Sequence, residues 1–244
     1  MTVVITGAGT GIGRALAAGF TSDGYVVFGL GRTKSTLEET SELCKKTLFS
    51  YKIVDVADEA AVTTALTQIA AEAGPIEVLV CNAAVYPRAF FLDQPSDEWT
   101  RALMINVCGV ANCCRVVLPE MLERNSGRIV IVGSFADIAP LPGTSVYSAS
   151  KGALHALTRA LSAEINRQRY PNVLINEFNP GSTRTGMSAQ GHDPDAVYPW
   201  LKRITDLPAG GPTGRIFLCD REFQPYEGTR ERIKRLVLRR LGWE

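Results

Sequence analysis

Seven short apolar runs punctuate the chain: Val3-Val4-Ile5, Tyr25 to Leu30, Leu48 to Val54, Ile76 to Cys81, Arg128 to Val132, Val173 to Phe178 and Ile216 to Cys219. They are rich in β-branched residues, so each reads as a buried strand. Between them apolar residues recur at helical spacing, as in Ile12, Leu16 and Phe20 or Val62, Leu66 and Ile69, and Ser96-Asp97-Glu98 supplies cap-type residues ahead of Trp99. Ser145 to Arg169 reads as one long helix. Strands that are apolar on both faces need helices on both sides, which predicts an α/β fold with a doubly wound, mostly parallel seven-stranded sheet. Ligands of such sheets bind outside the carboxyl ends of the strands, near the point where strand order reverses. Candidate chemistry is therefore sought at strand ends.

Composition narrows the functional classes. The 244 residues carry 26 Lys plus Arg against 25 Asp plus Glu, a formal net charge of +1. Neither sign dominates the far field, which argues against nucleic acid or an anionic membrane as a partner held by global charge. Six cysteines (Cys44, Cys81, Cys108, Cys113, Cys114, Cys219) form no CxxC, and His155 and His192 are not spaced with them as a zinc set would be, so neither a disulfide framework nor a metal site is expected. No apolar run reaches the roughly 18 residues of a membrane span, and Val3 runs into Thr6-Gly7 without a signal-peptide pattern. A reduced, cytoplasmic protein without stable membrane insertion is expected. No repeat or linker divides residues 1–244, which predicts a single domain.

The first strand leads into Thr6-Gly7-Ala8-Gly9-Thr10-Gly11-Ile12-Gly13, opening a helix. Glycines there permit a tight turn and let backbone N–H groups and the helix dipole approach a pyrophosphate. The spacing Gly7-xxx-Gly11-x-Gly13 departs from GxGxxG, since Ile12 falls where the last glycine would be. After the second strand, where an acid commonly binds a ribose 2′-hydroxyl, stands Gly31-Arg32. A guanidinium there can pair with a 2′-phosphate, with Lys34 adding to the field, so the phosphorylated dinucleotide is favoured. The long helix carries Tyr147-Ser148-Ala149-Ser150-Lys151, whose i,i+4 spacing sets Tyr147 and Lys151 on one face. A phenol has a reference pKa near 10; lowering it by about 3 units takes roughly 4 kcal/mol from a nearby ammonium. Lys151 is placed to supply that.

Taken together these motifs resemble the short-chain dehydrogenase/reductase family from Thr2 to about Phe217. They fall in the family's order: TGxxxGxG at Thr6 to Gly13, Asp55-Val56, Cys81-Asn82-Ala83-Ala84, Asn106 within Ile105 to Gly109, Ser134, Tyr147 with Lys151, and Asn179-Pro180-Gly181. The resemblance implies a Rossmann-like fold and an oxidoreductase passing a hydride between NADP(H) and a carbonyl or secondary alcohol. It implies Tyr147 as general acid/base, Ser134 as the hydrogen-bonding partner of the substrate oxygen, Lys151 on the nicotinamide ribose and Asn106 as the anchor of a water in the proton relay. The implied cofactor contacts are Gly7, Thr10, Gly11, Ile12 and Gly13 at the phosphates, Asp55 and the Val56 backbone at the adenine, Asn82 at the adenosine ribose side, and Ala83 and Ala84 after it. Pro180, Gly181, Thr183 and Thr185 complete them, the last two at the carboxamide. Two departures stand out: Ala84 replaces the family's glycine, and Cys219-Asp220-Arg221-Glu222 replaces its usual Asp-Gly-Gly ending. A homodimer or homotetramer is expected.

Pocket walls are expected from Val85 to Pro95, Phe135 to Pro142 and the region 182–213, contributing Tyr86, Phe90, Phe91, Phe135, Ile138, Met187, Tyr198 and Trp200. Such a wall suits a hydrophobic or cyclic ketone, with Arg88, Arg184 and Asp137 as further candidates for polar contacts. Residues 228–244 read as a basic amphipathic helix that docks on its own domain or a second subunit, with membrane or partner binding as the alternative. Two other functions compete: a non-catalytic dinucleotide sensor, expected to have lost Tyr147 or Lys151, and an NAD-linked alcohol dehydrogenase. An epimerase or dehydratase sharing the YxxxK pair would need a longer carboxyl-terminal domain.

Overall fold

A computed structural model of the chain describes residues 1–224. The expected amphipathic helix at 228–244 lies outside the described residues. Strands β1 (Thr2–Thr6), β2 (Val26–Gly31), β3 (Phe49–Ile53), β4 (Ile76–Cys81), β5 (Gly127–Val132), β6 (Val173–Asn179), β7 (Ile216–Leu218) and β8 (Arg221–Phe223) form one sheet in the order β3-β2-β1-β4-β5-β6-β7-β8. All neighbouring pairs are parallel except β7 with β8. The seven expected strands are thus joined by an eighth, antiparallel edge strand, reached through Cys219 in a left-handed conformation with φ of 50°. That hairpin is what Cys219-Asp220-Arg221-Glu222 builds.

Alternate side chains of each central strand enter opposite cores, as strand geometry requires. Val4, Leu79, Ile129, Ile131 and Ile175 pack with helices α3 (Glu59–Ala73), α5 (Gly109–Glu123) and α6 (Ser145–Glu164) on one face. Val3, Ile5, Val78, Val80, Val130 and Phe178 pack with α1 (Gly11–Ser22), α2 (Lys34–Leu43) and α7 (Val197–Thr205) on the other. A short α4 (Ser96–Leu103) runs through a π-helical turn, Met104–Cys108, into α5. This continuous stretch, Ser96–Glu123, is long and apolar enough to cross a membrane by length and composition, with a mean hydropathy of 1.6 over its most apolar window, but half of that window is buried inside the fold. Its apolarity is that of a core helix packed on α3 and α6.

The long helix ends earlier than its periodicity predicts, at Glu164 instead of Arg169. Asn166 Oδ1 accepts hydrogen bonds from the N–H groups of Gln168 and Arg169 at 3.0 Å each, offering the backbone a turn in place of another helical step. Strand order reverses between β1 and β4, and the loops leaving the carboxyl ends of β1, β4, β5 and β6 converge there.

Candidate active site

The turn between β1 and α1 is shaped by what a side chain would meet. Gly7 has φ of +67°, and a Cβ there would lie 2.9 Å from Ala83 Cα. At Gly13 a Cβ would come within 2.2 Å of Gly7 O and 2.7 Å of Asn82 Nδ2, so only hydrogen fits. Gly11, with φ of +50°, brings the turn against Thr185. Thr10 is the N-cap position of α1, without a side-chain cap bond, and Ile12 in the first turn packs toward the core beneath α1. These first-turn N–H groups open a cradle of the shape and polarity that a pyrophosphate needs.

Part of the bracing comes from Arg14, Glu39 and Thr40, which the sequence pattern left unremarked. Arg14 donates through Nη2 to Gly9 O at 2.6 Å and to the Glu39 carboxylate at 2.6 Å, while Thr40 Oγ1 donates to Ala8 O at 3.0 Å. Thr6 Oγ1 accepts from the N–H groups of both Asn82 and Ala83 at 3.0 Å. Asn82 Nδ2 donates to Thr6 O at 3.0 Å and Gly7 O at 3.2 Å. Asn82 thereby fastens the end of β4 to the glycine turn.

A cavity of about 190 Å³ opens beside this turn, lined by Thr10, Arg32, Asp55, Val56, Ala83 and Ala84 among others. Val56 O accepts a hydrogen bond from Asn112 Nδ2 at 3.0 Å. Arg32 is half exposed and its Nη1 lies 4.0 Å from Asp55 Oδ2, the same oxygen to which Arg101 of α4 donates. Burial opposes ionisation of Asp55, but the Ala57 N–H, Arg101 and Arg32 outweigh it and hold the carboxyl below its ordinary range. Lys34 pairs with Glu38 at 3.5 Å. Arg101 is the cation at this end that sequence reasoning missed, because α4 reaches Asp55 only through the tertiary fold. A wider open groove of about 600 Å³ over α6, lined by Arg159, Arg167 and Arg215 with small residues, holds none of the motif residues.

At the other end the structure brings Ser134, Tyr147, Lys151 and Asn106 together. Ser134 lies two residues past the end of β5 and caps the following short helix, its Oγ accepting from Ala136 N–H at 3.2 Å. It also hydrogen-bonds Tyr147, whose phenol is nonetheless raised above its ordinary value because burial outweighs that bond. Lys151 is 4% exposed and donates to Val132 O at 2.8 Å, with Nζ 5.5 Å from the Tyr147 ring centroid. Burial pulls Lys151 down to about 8, with Glu177 opposing. The expected lowering of the Tyr147 phenol by Lys151 is therefore not what this geometry produces: desolvation of the phenol prevails and the ammonium is turned to a backbone carbonyl.

Asn106 sits in the π-helical turn, a local widening often found at functional sites. Its Oδ1 accepts from Val85 N–H at 2.8 Å, and its Nδ2 donates to Val85 O and to Ser150 Oγ at 3.0 Å each. Ser150 in turn donates to Tyr147 O at 2.7 Å. Asn106 thus ties the loop after β4 to the helix that carries Tyr147.

After β6, Gly181 has φ of +69° and its N–H meets Asn179 Oδ1 at 3.0 Å, while Pro180 O accepts from Thr183 Oγ1 at 3.5 Å. Thr183 forms a β-bridge with His192, and Thr185 Oγ1 accepts from Met187 N–H at 3.1 Å. Of the expected pocket walls, Tyr86 packs edge-on against Tyr147 at 4.5 Å and carries Arg88 over its ring at 5.7 Å. Tyr198 belongs elsewhere. It packs on Phe20 and donates to Asp23 Oδ2 at 2.6 Å, filling the space that Gly19 leaves on α1. Trp200 meets His192, and Arg184 pairs with Asp193 at 2.9 Å.

Comparison with known proteins places the chain in a family. The model of the short chain dehydrogenase family matches residues 1–195. An uncharacterized oxidoreductase of Bacillus subtilis, YvrD, is 32% identical over 98% of this chain and 97% of its own. A solved structure of NAD+-bound xylitol dehydrogenase superimposes with a TM-score of 0.81, at 24% identity, over 89% of this chain and 96% of that one. ElxO with NADP bound gives 0.80 at 21% identity over the same shares. The chain belongs to the short-chain dehydrogenase family of oxidoreductases.

Proposed function

We propose that the protein is a nicotinamide-dependent carbonyl reductase using NADPH. The observation that carries this reading is the meeting of Ser134, Tyr147 and Lys151 at the open end of the glycine cradle. The cavity beside the glycine turn, lined by Gly7, Gly9 and Thr10 with Arg32 and Asp55, suits a dinucleotide by its backbone N–H groups and polar lining; solved neighbours bound to NAD+ and NADP support the same class of cofactor. Such a dinucleotide supplies a hydride to a carbonyl carbon when bound. The first turn of α1 would hold its phosphates, Lys151 its nicotinamide ribose, and Thr183 and Thr185 its carboxamide.

Tyr147 donates its phenolic proton to the substrate oxygen, and Ser134 hydrogen-bonds the same oxygen as negative charge develops on it. A phenol raised by burial keeps its proton at neutral pH, which is the form a reduction needs. Tyr86, beside Tyr147, offers an aromatic face to a hydrophobic or cyclic ketone. The six cysteines are all free thiols, in keeping with a reducing, cytoplasmic setting. A homo-oligomer is part of the same reading, and sedimentation velocity would give its size.

NADP preference rests on Arg32 with Arg101 beside it. The pairing of both with Asp55 favours a second reading, an NAD-linked alcohol dehydrogenase, because the carboxylate offsets part of their charge. Fluorescence titration with NADPH and NADH at fixed salt separates the two. Tighter NADPH binding that Arg32→Asp weakens at least about tenfold, with NADH little changed, is expected. Equal affinities that respond equally would give the NAD-linked reading precedence.

A further inference from the structure

Glu177 is a carboxylic acid in the middle of a central strand, 2% exposed, between the apolar neighbours Ile131 on β5 and Ile216 on β7. Buried acids are rare and require a reason. Its Oε1 occupies the space that a side chain at residue 133 would need: a Cβ at Gly133 would lie 1.9 Å from it. Gly133 stands between Val132, whose carbonyl accepts from Lys151, and Ser134. Glu177 Oε2 lies 3.6 Å from His155 Nδ1 and accepts no hydrogen bond among the described residues. On α6, Tyr147, Lys151 and His155 follow one another at intervals of four and share a face. The carboxyl is thus lodged against the strand end that positions both Ser134 and Lys151.

We propose that Glu177 is a positioning residue of the candidate site, whose buried carboxyl preserves the ammonium form of Lys151 as pH rises. Among the described residues, the charged groups acting on it are Lys151 and His155 from α6 and Asp137 from the short helix after β5, with Arg159 acting on His155 one turn further along. Burial raises Glu177 to about 8, Lys151 pulling it down and Asp137 pushing it up. At lower pH it is a neutral acid and leaves the lysine charge alone. Once it ionises, its negative charge opposes loss of the Lys151 proton, the direction in which Glu177 already acts on that amine. No bond changes partners in this role; the carboxyl acts through the field at a lysine that burial draws toward its neutral form.

The consequence for cofactor binding rests on the role of Lys151 proposed above, whereas the lysine titration itself does not. The test is a pH titration of the full chain labelled with [ε-13C]lysine, the Lys151 signal being assigned by its loss in Lys151→Arg. In Glu177→Gln the Lys151 midpoint should fall by about one pH unit, and Glu177→Asp should restore most of it. NADPH affinity read by fluorescence should then be about threefold weaker than wild type at pH 8.5 and unchanged at pH 6.5. A purely structural defect would weaken binding equally at both pH values and would overturn the inference, as would an unshifted Lys151 midpoint. Glu177→Leu, an apolar replacement of similar volume, reads the same shift should the glutamine variant not fold. Failure of wild type to bind NADPH would overturn the functional reading instead, and the lysine midpoint would still decide the role of Glu177.

Discussion

The two ends of the cleft handle charge in opposite ways. Beside the glycine turn Arg32, Asp55 and Arg101 meet solvent, the two guanidinium groups share one carboxylate, and that carboxyl is held below its ordinary range. At the opposite end Lys151 and Glu177 are buried and Tyr147 is half-buried, and burial pushes each toward its neutral form. Exposed ion pairs are screened by salt and contribute little singly. Dry groups close to their midpoints respond to any neighbour that changes protonation. The exposed end is suited to selecting a ligand by charge number, and the dry end to moving one proton.

The largest effect that tests this contrast is at the phenol. Tyr147→Phe removes the proton donor and leaves the ring, so turnover should fall by about a hundred- to ten-thousandfold while NADPH binding stays within about twofold. Steady-state kinetics with fluorescence binding checks both, and retained turnover would dismiss the phenol as the acid.

A smaller effect concerns stability. Glu177 is raised from 4.5 to about 8 in the fold, so its contribution is fully present below about pH 4.5 and is lost as pH rises toward 8. Lys151 is lowered from 10.5 to about 8, and its contribution is lost as pH falls through that upper range, so the two windows lie on opposite sides of pH 8. Calorimetry of Glu177→Gln should show a loss of Tm between pH 4.5 and 8 that is at least about 3 °C smaller than in wild type. The smallest effect belongs to the exposed end: Arg101→Ala should weaken NADPH by about two- to fivefold at low salt, and the difference should fade by 0.5 M NaCl.

The features legible in advance are those written locally. Seven strands appear within two residues of their expected ends, since each is an apolar run closed by turn residues. The partnership of Tyr147 with Lys151 follows from four-residue spacing on a helix. What escaped notice depends on chain segments far apart in sequence: Arg101 reaches Asp55 across 46 residues and Arg14 grips Glu39 across 25. Glu177 lies between these cases. An acid inside the run Val173 to Phe178 is itself a sign of a buried charge, but its neighbours His155 and Asp137 emerge only once β6 lies beside β5. Tyr198, expected in the pocket wall, packs on Phe20 and donates to Asp23 instead, because in sequence an aromatic of this region looks the same whether it faces ligand or core.

The hydroxyl of Thr6 has a consequence for how the molecule comes into being. It accepts two backbone N–H groups from residues 76 and 77 positions further along the chain. The glycine turn precedes β4 in the chain, yet its fastening waits until β4 has emerged and slotted in beside β1. A nascent chain that stops short of β4 therefore has the turn's residues without its fastening, and loop closure over that distance precedes assembly of the cradle. Dinucleotide binding during refolding would then act as a clock for assembly of the sheet's centre, silent while helices form and sounding when the first and fourth strands meet.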